Sequence, residues 1–385
     1  MKKFLAGLIF LGMFCGAASA DFVYSTTDNG IGIINISGTD SINIGSAKYS
    51  GKTPNNSLVE SYWENNTSNG KGNSKIILIK TVSQDSTTSN DTAVRFEGTN
   101  ISGPIDDANN PITLQGTRGA KIVASTQSGG SVYIASGACV RKYSTKTFAL
   151  EKTFDEIKSD DVTPNPEVKG LLVTASRVYI LVSRNNASND IMYDLDGQIT
   201  TNVKNAGSWE VVSSSKTVQF ISNSRMAIGH AKGVNIGSTK VASTDCPVVS
   251  LCSDSGDGLY YATQSDDLSS VYHYSASKNE STELIKDVTG DNVRVYHTDY
   301  NTLTVIIGGE IQIYNMENDK LLKTFTASQL GGTPYNVAGA VAGGDSGSSG
   351  SSGCNLVRGE GLGVRSFLIP LLFILGISLR RIKNS

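Results

Sequence analysis

Leu303-Thr304-Val305-Ile306-Ile307-Gly308-Gly309-Glu310-Ile311-Gln312-Ile313-Tyr314, followed seven residues after Tyr314 by Leu321-Leu322-Lys323-Thr324-Phe325, is the stretch on which the fold turns. Leu303, Val305 and Ile307 recur at the two-residue period of a strand. Gly308-Gly309 supplies the positive φ of a tight turn, and Ile311 and Ile313 are expected to return on the matching face. Asn315 to Lys320 reads as a polar turn, and Leu321 to Phe325 as a third strand. A meander of this size cannot bury both of its faces alone. Several stacked radially can, leaving only short protected edges.

The same pattern occurs earlier in the chain. Ser131-Val132-Tyr133-Ile134-Ala135 precedes Tyr143, and Leu150-Glu151-Lys152-Thr153-Phe154 follows it at the same distance. The two tyrosines lie 171 residues apart (143 to 314), which is four units of about 43 residues, the size of a propeller blade. Strand starts near Phe22, Ile76, Val132, Val178, Met226, Leu259 and Leu303 keep a mean spacing of about 47 residues, close to that period. Tyrosines closing the third strand stand at 143, 193, 274 and 314, with one copy missing near Val234. The expectation is an all-β fold, a β-propeller of about seven blades over residues 21–340.

A β-sandwich pair and a β-solenoid are the competing architectures. Sandwich domains lack a repeat of this length, and solenoid turns are shorter. The first two units are the least regular, because Ser50 to Gly72 and Ser83 to Asp91 read as long polar loops. Ring closure needs a strand from one end to complete the other end's sheet, and Phe22-Val23-Tyr24 or Tyr335-Asn336-Val337 could serve.

The two ends carry address signals. Lys2 and Lys3, the apolar run Phe4 to Phe14 and the small residues Ala18-Ser19-Ala20 read as a signal peptide over residues 1–20, cleaved by signal peptidase between Ala20 and Asp21. A lipoprotein box at Cys15 is the competing reading, and the bulky Phe14 before it argues against that. Residues 341–353 form a Gly/Ser-rich linker with nothing to bury. In the tail, residues 354–385, Phe367, Leu368, Ile369, Leu371, Leu372, Phe373, Ile374 and Leu375 make a single apolar membrane helix. Its basic end, Arg380 and Arg381, is expected to stay cytoplasmic. The 14 apolar residues Ser366 to Leu379 span about 21 Å as a helix, short of a bilayer core of about 30 Å.

Signal peptide, repeat body, Ser/Gly linker, Gly353-Cys354-Asn355, apolar segment and terminal Arg pair together resemble the Synergist-type C-terminal sorting domain of bacterial envelope proteins, similar in plan to the GlyGly and myxobacterial sorting tails. The resemblance covers only about the last forty residues. It implies processing near Gly353 and Cys354 by a rhomboid-like intramembrane protease, lipid attachment at the cysteine, and display on the cell surface. Arg358, Glu360 and Arg365 depart from the small, apolar residues expected after the cysteine. The alternative is a plain anchor that is never processed. Either way the chain is expected to be exported and membrane-associated in the cell envelope.

Motifs for chemistry are scarce. A formal charge of −2, from 33 basic and 35 acidic residues, gives no field for nucleic acid. The three histidines, His230, His273 and His297, show no metal-ligand spacing, and His273 sits in the strand Val271-Tyr272-His273-Tyr274. Nucleophile elbow, phosphate loop and zinc-protease helix are absent from the sequence. Cys139, Cys246 and Cys252 read as core residues. A Cys246–Cys252 bridge would require the segment between them to turn back. Asp254-Ser255-Gly256-Asp257-Gly258 is a calcium candidate that also fits an ordinary turn, and Asp194-Leu195-Asp196-Gly197 is similar. Trp63 and Trp209 could stack on sugar or pack in strands. Asn-x-Ser/Thr triplets at Asn35, Asn66 and Asn186 read as polar surface. No catalytic residue, metal ligand or cofactor is assigned. The reading is a non-enzymatic binding or structural module with an unknown protein or glycan ligand. The alternative is an extracellular propeller enzyme, of lyase, hydrolase or quinoprotein type, with its site in the central channel.

Overall fold

The computed structural model describes residues 20–340 apart from connecting segments, the longest of which are 50–56, 155–166, 184–190 and 195–214. Residues 1–19 and 341–385, which carry the expected signal peptide, linker, Gly353, Cys354 and membrane segment, lie outside the described residues, as do Trp209 and Asp196. Among the described residues no helix is long and apolar enough to cross a membrane.

Seven sheets follow one another along the chain. The first contains β1 (Ala20–Thr26), β2 (Gly30–Ile36) and β3 (Ile42–Tyr49). The second contains β4 (Leu58–Asn65), β5 (Gly72–Lys80), β6 (Thr92–Glu97) and β7 (Asn100–Pro104), with the short β8 (Ile112–Thr113) also on β6. The third is β9 (Ile122–Ser125), β10 (Ser131–Ser136), β11 (Cys139–Ser144) and β12 (Leu150–Phe154). The fourth is described as three strands, β13 (Glu167–Val173), β14 (Val178–Ser183) and β15 (Ile191–Asp194). The fifth is β16 (Ser215–Phe220), β17 (Met226–His230), β18 (Gly233–Ile236) and β19 (Thr239–Ser243). The sixth is β20 (Val248–Ser253), β21 (Leu259–Gln264), β22 (Leu268–Ser275) and β23 (Glu280–Thr289). The seventh is β24 (Arg294–Thr298), β25 (Thr302–Ile307), β26 (Glu310–Asn315) and β27 (Lys320–Phe325). A four-residue helix, α1 (Ala327–Leu330), then leads to β28 (Pro334–Ala340).

The last strand closes the ring. β28 pairs with β1, Asp21 opposite Ala340 and Thr26 opposite Pro334, and becomes the innermost strand of the first sheet. The innermost strands then touch in the cyclic order β28, β4, β9, β13, β16, β20, β24 and back to β28. This is a seven-bladed β-propeller. Both candidate closing segments belong to it, as direct neighbours in one sheet.

The strand starts read from sequence at Phe22, Ile76, Val132, Val178, Met226, Leu259 and Leu303 all fall at or within the second strand of their blades, and the recurring tyrosines on the third. The unit is therefore one strand longer at its front than the reading had it, and Leu321 to Phe325 is the fourth strand of its blade. The first strands were hard to see because they carry polar residues that are nonetheless buried. β4 lies inside the stretch read as a loop, and its Ser57-Leu58-Val59-Glu60-Ser61-Tyr62 run is buried throughout.

The seventh blade also corrects a detail of register. Gly308 and Gly309 both have positive φ, 59° and 77°, so the turn is a two-residue one that pairs Ile307 with Glu310. Leu303 then lies opposite Tyr314, while Ile311 and Ile313 lie opposite Ile306 and Thr304. Ile311 and Ile313 thus share the opposite face from Leu303, Val305 and Ile307. One set packs on the sixth blade with Tyr260 and Val271, and the other on the first blade with Phe22, Ile34 and Val337. Each such side chain contributes about 1.5–3 kcal/mol by leaving water, so β25 is held from both sides.

Antiparallel neighbours alternate in direction. The turns joining first to second and third to fourth strands therefore share one face of the ring. Those joining second to third strands, and one blade to the next, share the other.

Candidate functional site

Among the residues singled out in the sequence, His273 and Asp254 come together. β22 carries His273, the turn between β20 and β21 carries Asp254, and the turn between β26 and β27 brings Asp319 from the next blade. His273 Nδ1 lies 2.8 Å from Asp319 Oδ2, and Nε2 lies 3.5 Å from Asp254 Oδ2. The Tyr260 hydroxyl donates to Asp319 Oδ1 at 2.7 Å, and its ring stacks on the imidazole at 4.2 Å. Asp254 also accepts from the Gly258 backbone N–H at 3.0 Å.

The electrostatics follow from this geometry. Burial alone would lower the His273 pKa, but hydrogen bonds and charge from Asp254 and Asp319 outweigh it and raise the value. Burial, with the carboxylate of Asp319 beside it, drives the Tyr260 hydroxyl well above its ordinary value. With both ring nitrogens facing carboxylates, the imidazole ties the sixth blade to the seventh. Asp319 had no sequence signal beyond its place in the polar turn Glu317-Asn318-Asp319-Lys320, where it takes φ 57°.

Other predicted residues separate. His230 on β17 is buried, its Nδ1 accepts from the Lys232 backbone N–H at 3.3 Å, and its Nε2 lies 3.2 Å from Asn235 Oδ1. This network assigns the neutral tautomer with the proton on Nε2, and burial lowers its pKa. His297 sits on β24. Cys252 is core, whereas Cys139 and Cys246 are only partly buried. The expectation of core packing for all three is corrected at those two, which stand at a strand start and in an inter-blade loop. Asp194 ends β15, and Trp63 lies on β4. Among the described residues no three or more His, Cys, Asp or Glu side chains are grouped to hold a metal ion.

A second group escaped sequence reasoning altogether. Glu60, on the innermost strand β4, is 1% exposed. Its Oε1 accepts from the Ser125 hydroxyl of β9 at 2.8 Å, and its Oε2 has no hydrogen-bond partner among the described residues. Burial pushes its pKa up to about 8, against the opposing pull of the Ser125 hydrogen bonds. The carboxyl is therefore neutral at pH 7. Further stitches join innermost strands elsewhere. Asn336 accepts from the Val59 N–H at 2.9 Å and donates to Tyr296, and Ser250 accepts from the Val295 N–H at 3.1 Å.

Towards the rim, Arg95 reaches from the second blade to the third. It pairs with Asp106 at 2.6 Å, donates to the Thr145 and Lys146 carbonyls and lies over the Phe148 ring. Lys121 of the third blade meets Glu167 of the fourth at 2.9 Å, and Lys169 meets the same carboxylate.

No family model matches the chain, and no curated protein matches it either. Solved structures do. A protein from Bacteroides uniformis named as a candidate 6-phosphogluconolactonase is 12% identical, covers 83% of this chain and 98% of its own, and superposes with a TM-score of 0.53. A similarly named protein from Bacteroides fragilis is 11% identical, covers 85% and 99%, and reaches 0.54. A protein from Lactobacillus plantarum is 14% identical, covers 83% and 99%, and reaches 0.51. At these identities the likeness speaks to the fold, that of the β-propellers.

Proposed function

We propose that the chain is a non-enzymatic β-propeller module of the bacterial cell envelope, exported, held by its tail and displayed at the cell surface, where it binds or scaffolds a protein or glycan. One observation carries this reading: polar side chains meet across blade seams, where they tie the ring together. His273 of the sixth blade is held by Asp319 of the seventh, Arg95 of the second donates to the Thr145 carbonyl of the third, and Lys121 of the third meets Glu167 of the fourth. Such stitching makes a rigid scaffold for loops, the usual carriers of recognition. Cell fractionation with surface labelling, followed by pull-down against envelope components, tests it. Envelope residence with a specific binder supports the module. A soluble protein that turns over a lactone or sugar substrate overturns it.

A second reading, an extracellular propeller enzyme with a channel site, is favoured by Glu60. A buried acid that keeps its proton at neutral pH suits proton donation, and two similar structures are named as candidate lactonases. Turnover that disappears in Glu60→Gln would establish that reading in place of the first.

A further inference from the structure

The connections between blades lead into the innermost strands, so the first residues of β4, β9, β13, β16, β20, β24 and β28 ring one mouth of the central opening. The last residues of the same strands ring the other mouth. The two mouths differ in charge. All seven strands end in uncharged residues, among them Ser125, Val173, Ser253 and Thr298. At the entering mouth Lys121 immediately precedes β9, Glu167 and Lys169 lie in the first turn of β13, and Arg294 opens β24. Among the described residues, three cations therefore stand there beside one carboxylate.

These groups are held from blade to blade. Lys121 Nζ of the third blade lies 2.9 Å from Glu167 Oε1, and Lys169 Nζ of the fourth meets Glu167 Oε2. One carboxylate thus spaces two ammonium groups. Burial pushes its pKa up, but hydrogen bonds and charge from Lys169 and Lys121 outweigh that and hold it below the ordinary value. An ammonium has three N–H donors, and Glu167 takes one from each lysine, so both keep donors to offer. On the seventh blade, Arg294 Nε donates to Asn292 Oδ1 at 3.1 Å, and its guanidinium lies 4.8 Å from the centre of the Tyr335 ring on β28. Asn292 is fixed in turn by donating to the Pro334 and Tyr335 carbonyls at 3.3 and 3.4 Å. Tyr335 also packs on the core of the second and third blades. Its ring therefore reaches from the Arg294 cation toward the side of the mouth that carries Lys121.

We infer that this mouth binds a small anion carrying carboxylate or phosphate groups, with Arg294, Lys121 and Lys169 as its cationic contacts and Tyr335 beside them. The site requires neither surface display nor turnover, so it stands apart from both readings above. A guanidinium offers a planar fork that matches carboxylate and phosphate oxygens. Like charges around a concave opening with low-dielectric walls focus their field there and raise the local anion concentration. A few fixed polar groups at such an opening are the usual form of a small-ligand site. Because Glu167, Asn292 and Tyr335 fix the cations beforehand, less ordering entropy is lost on binding.

Thermal melting of the detergent-solubilised full chain tests it, with sodium phosphate or sodium citrate titrated against sodium chloride at matched ionic strength. A saturable rise in Tm with at least one of the two anions is expected, and the anion that gives it separates phosphate from carboxylate recognition. Lys121→Gln and Arg294→Gln are each expected to weaken that binding about tenfold, the effect of one lost charged hydrogen bond. Lys278→Gln, on the exposed turn between β22 and β23 at the opposite face, should leave it unchanged. The Lys121 side chain is 58% exposed, so Lys121→Gln keeps the test decisive even where Arg294→Gln does not fold. No saturable shift with either anion overturns the site. So does an equal loss in Lys278→Gln, the mark of non-specific screening. Neither result bears on envelope location, which fractionation reads separately.

Discussion

Two blade seams hold acids in contrasting surroundings. Between the second and third blades, Glu60 has one hydroxyl for company and stays neutral, its pKa raised to about 8. Between the sixth and seventh, Asp254 and Asp319 flank an imidazole and raise its pKa instead. The differences are burial and counter-charge: Asp254 and Asp319 keep 17% and 31% of their side-chain exposure and face the imidazole, whereas Glu60 is 1% exposed. Removing a carboxylate from water is costly unless a cation lies within reach, and without one the group takes up a proton. The inner-strand contact at Glu60 is therefore held by a neutral hydrogen bond and apolar packing, and the contact at His273 by two carboxylates around an imidazole.

The largest effect expected is at Glu60. The folded pKa exceeds the ordinary 4.5, so the native state holds the extra proton. This stability is present in full below about pH 4.5 and is lost as pH rises toward 8. Glu60→Gln should remove that loss, leaving the variant more stable than the parent at pH 8 by about 3–5 kcal/mol. Urea midpoints at pH 4.5 and 8 measure it, and parallel pH slopes for the two proteins would contradict the neutral carboxyl.

Next comes Asp319→Ala, which leaves the imidazole with the longer Asp254 contact and the Tyr260 hydroxyl with the 3.4 Å Met316 carbonyl, and should cost about 2 kcal/mol. Asp254→Ala, at the longer 3.5 Å contact, should cost about half as much. Equal losses would show that the two carboxylates share the imidazole evenly. The His273 latch has its own pH signature. Its folded pKa is raised, so its stabilisation is full below about pH 6.5 and falls as pH rises through the folded value. His273→Gln should flatten that part of the profile and leave the Glu60 part intact. The smallest effect is expected at Leu150→Ser and Leu321→Ser on the outer strands, where 39% and 46% exposure predict changes within about 0.5 kcal/mol.

Legibility differed in the same way between inner and outer strands. Second strands such as Leu303 to Ile307 and Val132 to Ala135 are apolar and buried on both faces, so they stood out. β4 reads as a loop in the sequence because Glu60, Ser61 and Ser57 are polar, although neighbouring blades bury them. The face of Ile311 and Ile313 is not legible because apolar identity alone does not show which residues a two-residue turn sets opposite each other. His273 was readable as a satisfied strand histidine, but neither of its carboxylate partners was.

What the chain determines by itself is local: strand period, the positive-φ glycines at 308 and 309, a unit of propeller size and a count of about seven. These depend on neighbours a few residues away, and steric and hydrophobic constraints act at that range. What tertiary structure alone decided is which strands line the centre, that both ends close one sheet, and that Glu60 keeps its proton. Those outcomes depend on partners 65 residues apart for Glu60 and Ser125, 46 for His273 and Asp319, and 277 for Val59 and Asn336. Burial and counter-charge exist only once the blades have met, so no reading of neighbouring residues could contain them.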